Sequence, residues 1–161
     1  MDLPAILFLA HSILPKGVTF RLVREEDERP LHTTCYSHQA AHQFHDFCQH
    51  MLRRQKQGRC YWLLIEMNSV IIGNGQLVIH RYTAECANLF VVPEHRSQGI
   101  GTGLIEVLTA IARHCGLTNL EIGVTLDNRR ALSLYQRLGF TTDRHVQFPH
   151  SQPATILHKV I

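Results

Sequence analysis

The segment PEHRSQGIGTG, residues 93–103, places three glycines directly after an apolar run and directly before a helical pattern. A strand, a glycine-rich turn and a helix N-terminus together form an anion site, because unpaired backbone N–H groups and the helix dipole point at the ligand. A Walker A loop is excluded, since no lysine occurs between Lys56 and Lys159. A dinucleotide fingerprint is excluded because Leu104 stands where its third glycine belongs. The remaining spacing, R-x-x-G-x-G, predicts that a phosphate group of another ligand binds here.

A second motif, LDNRRALSLYQRLGF, follows at residues 126–140. The two strings resemble motif A (V-x-P-x-x-R-x-x-G-x-G/A) and motif B (N-x-x-A-x-x-L-Y-x-x-x-G-F) of the GNAT superfamily of acyl-CoA-dependent N-acetyltransferases. Their order and spacing agree from about Glu85 to Phe140. One departure is Ser97, where the family commonly has glycine; we expect it to cost little if Ser97 keeps an ordinary φ.

The resemblance implies transfer of an acetyl group from acetyl-CoA to a primary amine, directly within a ternary complex. The acceptor would be a small molecule or a peptide, and the sequence does not identify it. A non-catalytic acyl-CoA-binding sensor or regulatory module is the alternative, and an unrelated phosphate-binding domain is a third hypothesis.

The resemblance also implies where the cofactor would bind. Backbone N–H groups of the turn would contact the pyrophosphate, and glycines allow that close approach. The preceding strand would offer a backbone N–H to the thioester carbonyl and would pair with the pantetheine arm.

Asn128 matches a cofactor-contacting asparagine of the family and would equally serve as an N-cap. Arg137 could contact the adenosine phosphate or simply face solvent, and Gly103 is expected to be a packing position. The predicted cofactor-binding residues are Leu89, Phe90, Val91, Arg96, Ser97, Gln98, Gly99, Ile100, Gly101, Thr102, Asn128 and Tyr135.

Acetyl transfer also needs a base and an acid. An alkyl amine has a pKa of about 10.4, so only about one molecule in a thousand is nucleophilic near neutral pH. By resemblance Glu85 is the candidate base; Gly123 stands where other relatives place theirs, and Glu121 or ordered water remains an alternative. Tyr135 is the candidate acid for the leaving thiolate, and its other interpretation is a core tyrosine.

These groups require a scaffold of strands and helices, which hydrophobic periodicity predicts. The expected order is β-α-α-β-β-β-α-β-α-β-β, an α/β (α+β) fold with a mixed central sheet and helices on both faces. The segment REEDERP is predicted to be a loop leading into a helix, and Asn68-Ser69 a hairpin turn. The main predicted strands are Val18–Val23, Cys60–Met67, Val70–Tyr82, Glu85–Val92 and Asn119–Thr125, and the predicted helices include Ser37–Gln57, Leu104–Cys115 and Asn128–Leu138.

Composition limits the function classes. The 161 residues suit one domain, with an apolar extension at 1–17 and a core at 18–161. A net charge of +3 is too small to predict a nucleic-acid partner. The apolar extension is too short to span a bilayer, and we expect it to pack on the domain or on a second subunit, which would suit a homodimer. Five widely spaced cysteines indicate free thiols and a cytoplasmic location.

Twelve histidines are many for this length, and three of them follow helical spacing: His38, His42 and His45. A zinc site would need further convergent ligands. We therefore expect no metal, and a histidine face that is solvated or lines the acceptor groove.

Overall fold

The computed structural model describes residues 5–6, 14–147 and 152–161. Its centre is a seven-stranded sheet in the order β1-β2-β3-β4-β5-β7-β6. The strands are β1 (Val18–Leu22), β2 (Cys60–Met67), β3 (Val70–Ile79), β4 (Ala84–Val91), β5 (Asn119–Thr125), β6 (Thr141–Val146) and β7 (Ala154–Val160). All neighbours are antiparallel except β4 and β5, which are parallel. The predicted mixed sheet is therefore confirmed.

In the continuously described part of the chain, α-helices and short 3-10 turns surround the sheet. The helices are α1 (Glu28–Cys35), α2 (Ala41–Lys56), α3 (Ile100–His114) and α4 (Arg129–Arg137), and the 3-10 turns are Glu25–Asp27 and Pro93–His95. The segment REEDERP leads into a helix, as expected, but it is not a loop: Glu25–Asp27 form the first 3-10 turn, and α1 already begins at Glu28.

The predicted helix Ser37–Gln57 is also too long at its start. Tyr36 is buried, and its carbonyl accepts a turn hydrogen bond from the Gln39 N–H at 2.9 Å. This turn redirects the chain, and α2 begins only at Ala41.

Each face of the sheet packs against its own helices. On one face, Leu104, Leu108 and Ile111 of α3 are fully or almost fully buried, and α4 adds its apolar side. On the other face, α1 and α2 cover β2 and β3 through an aromatic cluster that includes Phe44 and Trp62. Burial of apolar surface on both faces drives the fold.

An ion pair fixes the chain between β1 and α1. Arg21 donates from Nη1 and Nη2 to the two carboxylate oxygens of Asp27, both at 2.7 Å. The Arg24 backbone N–H also donates to Asp27 at 2.7 Å. Burial acts to raise the pKa of Asp27, but these hydrogen bonds outweigh it, so the pKa lies below its usual value.

The two parallel strands separate partway along their length. Their pairing runs only from Ala84 opposite Leu120 to Cys86 opposite Ile122, although both strands continue beyond these residues. The next part of β4 contains a bulge at Asn88, which has a φ of 51°. Because a bulge bends its strand, β4 turns away from β5 and a gap opens between them.

The N-terminal segment is described only in part. Ile6 is buried in the core, and Leu14 packs against it. These two residues agree with packing on the domain, whereas residues 3–4 and 7–13 of the segment lie outside the described residues.

All five cysteines are free thiols, four of them buried. Within residues 5–6, 14–147 and 152–161, no helix combines the length and the apolar character needed to cross a bilayer.

Candidate acyl-CoA groove

A groove of about 880 Å³ lies beside the gap, between β4, the start of α3 and one side of α4. It brings together most of the predicted cofactor residues: Leu89, Phe90, Val91, Arg96, Ser97, Gly99, Gly101, Thr102, Asn128 and Tyr135. Gln98 and Ile100 do not line it. Gln98 points its amide at the Glu94 carbonyl, 3.3 Å away, and the Ile100 side chain is buried in the core. These two residues can contribute only backbone groups.

The start of α3 presents free N–H groups to this groove. Gly99 is the N-cap with a φ of 82°, a left-handed conformation that favours glycine. The first helical hydrogen bond runs from the Gly103 N–H to the Gly99 carbonyl at 2.9 Å. The N–H groups of residues 100–102 precede it and have no helical partner. The helix dipole adds positive potential at the same place.

Gly101 and Gly103 differ in what a side chain would meet. A Cβ on Gly101, which lines the groove, would lie 3.5 Å from Leu134 Cδ2, an ordinary contact. A Cβ on Gly103, which is buried, would lie 2.7 Å from Leu14 Cδ2. Gly103 is thus a packing position, in agreement with the expectation from its place in the sequence.

Ser97 does not keep the ordinary φ that the sequence led us to expect. Its φ is 64°, in the left-handed region, which costs a non-glycine residue roughly 1–2 kcal/mol. Its hydroxyl accepts a hydrogen bond from Arg130 Nη2 at 2.8 Å. The turn before α3 and the first turn of α4 are therefore tied together across the groove.

Arg130 was not among the sequence-predicted site residues, although it lines the groove. The available signal was its place in the first turn of motif B's helix, two residues after Asn128.

Arg96 also lines the groove, but its side chain bonds to β4 rather than across the groove. Its Nε donates to the Val91 carbonyl at 2.7 Å, and its guanidinium lies 5.6 Å from the Phe90 ring centre. Arg96 thus braces the end of β4.

Asn128 acts as the N-cap of α4, since its side-chain oxygen accepts from the Ala131 N–H at 3.1 Å. It also lines the groove. The structure therefore shows the capping role and places Asn128 at the edge of the groove.

Tyr135 lies on the α3/α4 face of the sheet. It is buried, and its ring centre lies 6.2 Å from that of Phe140. Burial, followed by the nearby Cys86 thiol, raises the pKa of Tyr135 to about 12. Among the described residues the hydroxyl has no hydrogen-bond partner, yet the residue lines the groove. Tyr135 is thus a protonated phenol with a free donor.

Glu85 lies on the opposite face of the sheet and does not line the groove. Its carboxylate lies beside the imidazole of His80, with Nε2 3.5 Å from Oε2. Residue 87 of the same strand is level with the opening of the gap, and two residues of strand span about 6.6 Å. The Glu85 carboxylate therefore lies one residue pair before the opening of the gap, on the sheet face opposite α3 and α4.

Glu121 is paired with Glu85 in register on β5. Its two carboxylate oxygens accept hydrogen bonds from Arg144, at 3.3 Å and 3.1 Å. Because both oxygens are engaged, Glu121 is less available as a proton acceptor than Glu85.

The predicted histidine face is wrong in part. His38 lies in the turn before α2, so it does not share a helix face with His42 and His45. His45 Nδ1 lies 2.8 Å from Glu28 Oε1, and this carboxylate raises the pKa of His45. In the part of the chain that the structure describes, no group of three His, Cys, Asp or Glu side chains is placed to hold a metal ion.

Solved acetyltransferase structures share this fold. RimL, the ribosomal L7/L12 alpha-N-protein acetyltransferase in complex with coenzyme A, superposes with a TM-score of 0.79 at 14% identity, covering 92% of this chain and 96% of that one. The structure of yncA from Salmonella typhimurium with its cofactor acetyl-CoA gives a TM-score of 0.71 at 23% identity, covering 90% of this chain and 94% of that one.

Among curated proteins, the uncharacterised N-acetyltransferase YobR of Bacillus subtilis is 30% identical over 97 residues. That match covers 60% of this chain and only 39% of YobR. The family model of the acetyltransferase (GNAT) family matches residues 21–140, about three quarters of the chain. The resemblance seen in the two motifs is thereby confirmed, and the chain belongs to the GNAT family of acetyltransferases.

Proposed function

We propose that this protein is an N-acetyltransferase that transfers an acetyl group from acetyl-CoA to a primary amine within a ternary complex. One observation carries the proposal: the parallel strands separate beside a free helix N-terminus and a buried, protonated tyrosine. This arrangement offers an anion site, an open strand edge and a proton donor in one groove.

The start of α3 would hold the pyrophosphate of acetyl-CoA through the free N–H groups of residues 100–102, and Arg130 would add a positive charge. The edge of β4 facing the gap would pair with the peptide-like pantetheine arm. Leu89 and Val91 contribute apolar side chains to the α3/α4 side of that strand. Acetyl-CoA supplies the activated acetyl group.

Val91 is the best-placed donor for the thioester oxygen. The Val92 N–H donates to Ile72 of β3 at 2.9 Å, so the preceding residue turns its backbone groups to the other side, toward the gap. The Val91 carbonyl accepts from Arg96 there. An N–H fixed in this position would stabilise the negative charge that develops on the carbonyl oxygen.

Proton transfers complete the step. The ammonium group of the acceptor first loses one proton to solvent. As the neutral amine nitrogen forms the new C–N bond to the acetyl carbon, Glu85 accepts the second proton through a water molecule. The C–S bond breaks and Tyr135 donates its proton to the leaving sulfur, so that the products are an N-acetyl amine and free coenzyme A. Glu85 then releases its proton to water and Tyr135 regains one, which restores the enzyme.

The test is release of free thiol from acetyl-CoA in the presence of a panel of primary amines. The proposal expects thiol release that depends on the amine and saturates with both substrates. Binding of acetyl-CoA without thiol release across the panel would contradict it.

A non-catalytic acyl-CoA-binding module is the second candidate, because Glu85 does not line the groove and none of the described residues that line it carries a carboxylate. Calorimetric binding of coenzyme A with unchanged acetyl-CoA in every amine mixture would favour this module. The two candidates therefore give opposite results in one assay.

The remaining proposals concern the setting of the activity. Free thiols at all five cysteines support a cytoplasmic location. Burial of Ile6 supports residues 1–17 as an extension packed on a single domain whose core is 18–161. A homodimer and an acceptor that is a small molecule or a peptide complete the hypothesis, with no membrane or nucleic-acid partner.

A further inference from the structure

Gly123 lies in the interior of β5, where glycine weakens a strand and commonly marks the close approach of a ligand. Its backbone does not require glycine, since it is not one of the residues with positive φ. Among the described residues, a Cβ at this position would meet the flexible end of the Ile156 side chain, with Cδ1 at 3.3 Å. This contact is tight, but a shift of a few tenths of an ångström in that side chain relieves it, and the backbone is not strained. Strain therefore does not explain why this position lacks a side chain, and crowding explains little of it.

The position of Gly123 suggests the reason. Pairing between β4 and β5 ends at Cys86 opposite Ile122, and the same register continued by one residue sets Ala87 level with Gly123. Both residues belong to the sheet face opposite α3 and α4. On this face, the gap is therefore bordered by the methyl group of Ala87 and by the Cα hydrogen atom of Gly123.

Two rows of side chains cross this open face of the sheet. The row at the gap is apolar: Ala87 on β4, Gly123 on β5 and Ile156, which pairs with Gly123, on β7. The row two residues away is polar and consists of Glu85, Glu121 and His158, which are neighbours in register. Helices α1 and α2 pack mainly on β2 and β3, so Gly123 is exposed.

The charges on this face leave room for one cation. Arg144 donates to both Glu121 and Asp143, so these two carboxylates already have a guanidinium partner. Among the described residues, the basic side chain paired with Glu85 is the imidazole of His80, at 3.5 Å. An ammonium group beside Glu85 would complete the pairing, whereas a second ammonium would lie over the apolar row or close to Arg144. Either position is unfavourable for a positive charge.

We propose that Ala87, Gly123 and Ile156 form the acceptor-binding row, and that the acceptor is a primary amine with one positive charge and an apolar substituent next to its amino group. This inference rests on the proposed acetyl transfer. The amino group lies between Glu85 and the gap, and the apolar substituent lies over Gly123 and Ile156. Polyamines and aminoglycosides, which carry several ammonium groups, fit this surface poorly.

The test compares kcat/KM for four amines at saturating acetyl-CoA: leucinamide, a peptide with an N-terminal leucine, spermidine and kanamycin. The two leucine amines should exceed spermidine and kanamycin by at least about tenfold, about 1.4 kcal/mol. Whichever of leucinamide and the peptide is the better substrate indicates whether the natural acceptor is a small molecule or a protein N-terminus. Faster transfer to spermidine or kanamycin would overturn the inference and leave acetyl transfer standing; no transfer to any amine would overturn both.

Variants of Gly123 test the row itself. Gly123→Ala and then Gly123→Val should raise KM for leucinamide progressively, by about tenfold for valine, while the Kd of coenzyme A stays unchanged. Thr142→Val introduces the same side chain on β6, where Thr142 pairs with Leu157 of the other face, and should leave KM unchanged. An unaltered KM in a folded Gly123→Val protein, or an equal loss of coenzyme A affinity, would contradict the assignment.

Discussion

Substitution of Tyr135 by phenylalanine separates catalysis from folding at this site. The change removes one oxygen atom and keeps the ring that packs beside Phe140. Because the hydroxyl has no partner among the described residues, its loss should change the free energy of unfolding by less than about 1 kcal/mol. The cofactor should bind with nearly the same Kd.

The rate should fall because the leaving thiolate loses its proton donor. A positioned acid typically contributes about 10²–10⁴-fold. A thiol has an ordinary pKa of about 8.5, so sulfur leaves more readily than an alkoxide and the lower end of that range applies. We expect kcat to fall about 100-fold, or about 2.7 kcal/mol in activation free energy.

The assay is steady-state thiol release at saturating acetyl-CoA, with coenzyme A affinity from calorimetry and stability from thermal unfolding as controls. Since burial holds the pKa of Tyr135 at about 12, the phenol stays protonated and kcat should not decline through its ionisation below about pH 10. Undiminished kcat in Tyr135→Phe would remove the residue from the mechanism. A loss explained by weaker cofactor binding or unfolding would assign it to packing.

Three further predictions concern the cofactor loop and the ion pair at α1. Gly101→Val should weaken coenzyme A binding at least about 100-fold, about 2.8 kcal/mol, because a branched side chain fills the space before α3. Gly103→Ala adds a methyl group on the core side of the helix and should keep the Kd of coenzyme A within about twofold. Equal Kd values for the two variants by calorimetry would refute this difference. Arg130→Gln should raise Kd about fivefold at low salt, with a smaller effect at high salt, since it removes an exposed charge; a salt-independent change would argue against a phosphate contact. Asp27→Asn should lower the free energy of unfolding at pH 7 by about 2–4 kcal/mol. The pKa of Asp27 is lowered in the folded protein, so its charged form stabilises the wild type fully above the unfolded pKa of about 3.9, and this contribution is lost as pH falls through the folded pKa. The difference in unfolding free energy between the two proteins, measured by urea titration, should therefore shrink toward pH 3. A difference that stays constant with pH would contradict the role of this ion pair.

Much of the fold could be predicted from local sequence patterns, because the residues that recur with helical or strand periodicity are the ones that the structure buries. Leu104, Val107, Leu108 and Ile111 recur with helical spacing, and all four are buried in α3. The start of α2 could not be predicted in the same way. The residues around Ser37 contain no glycine or proline, and only the burial of Tyr36 beneath α2 explains the turn.

In the site, too, local features were predictable from the sequence, whereas features that depend on contacts between distant elements were not. Motif spacing located the glycine turn, Asn128 and Tyr135, because a helix N-terminus and an N-cap are local structures. The left-handed φ of Ser97 and its bond to Arg130 depend on two elements that meet only in the fold. The bulge at Asn88 likewise has no signal in β4 alone, since its side chain donates to the buried Gln76 of β3 at 2.9 Å.

Direct acetyl transfer in the groove beside the separated strands can be tested by measuring free coenzyme A and N-acetylated amine formed in the same reaction, by thiol assay and mass spectrometry. Direct transfer should give equal amounts of the two products, both dependent on the amine, with no acetyl group left on the protein. Tight binding of acetyl-CoA with neither product formed from any primary amine would contradict it.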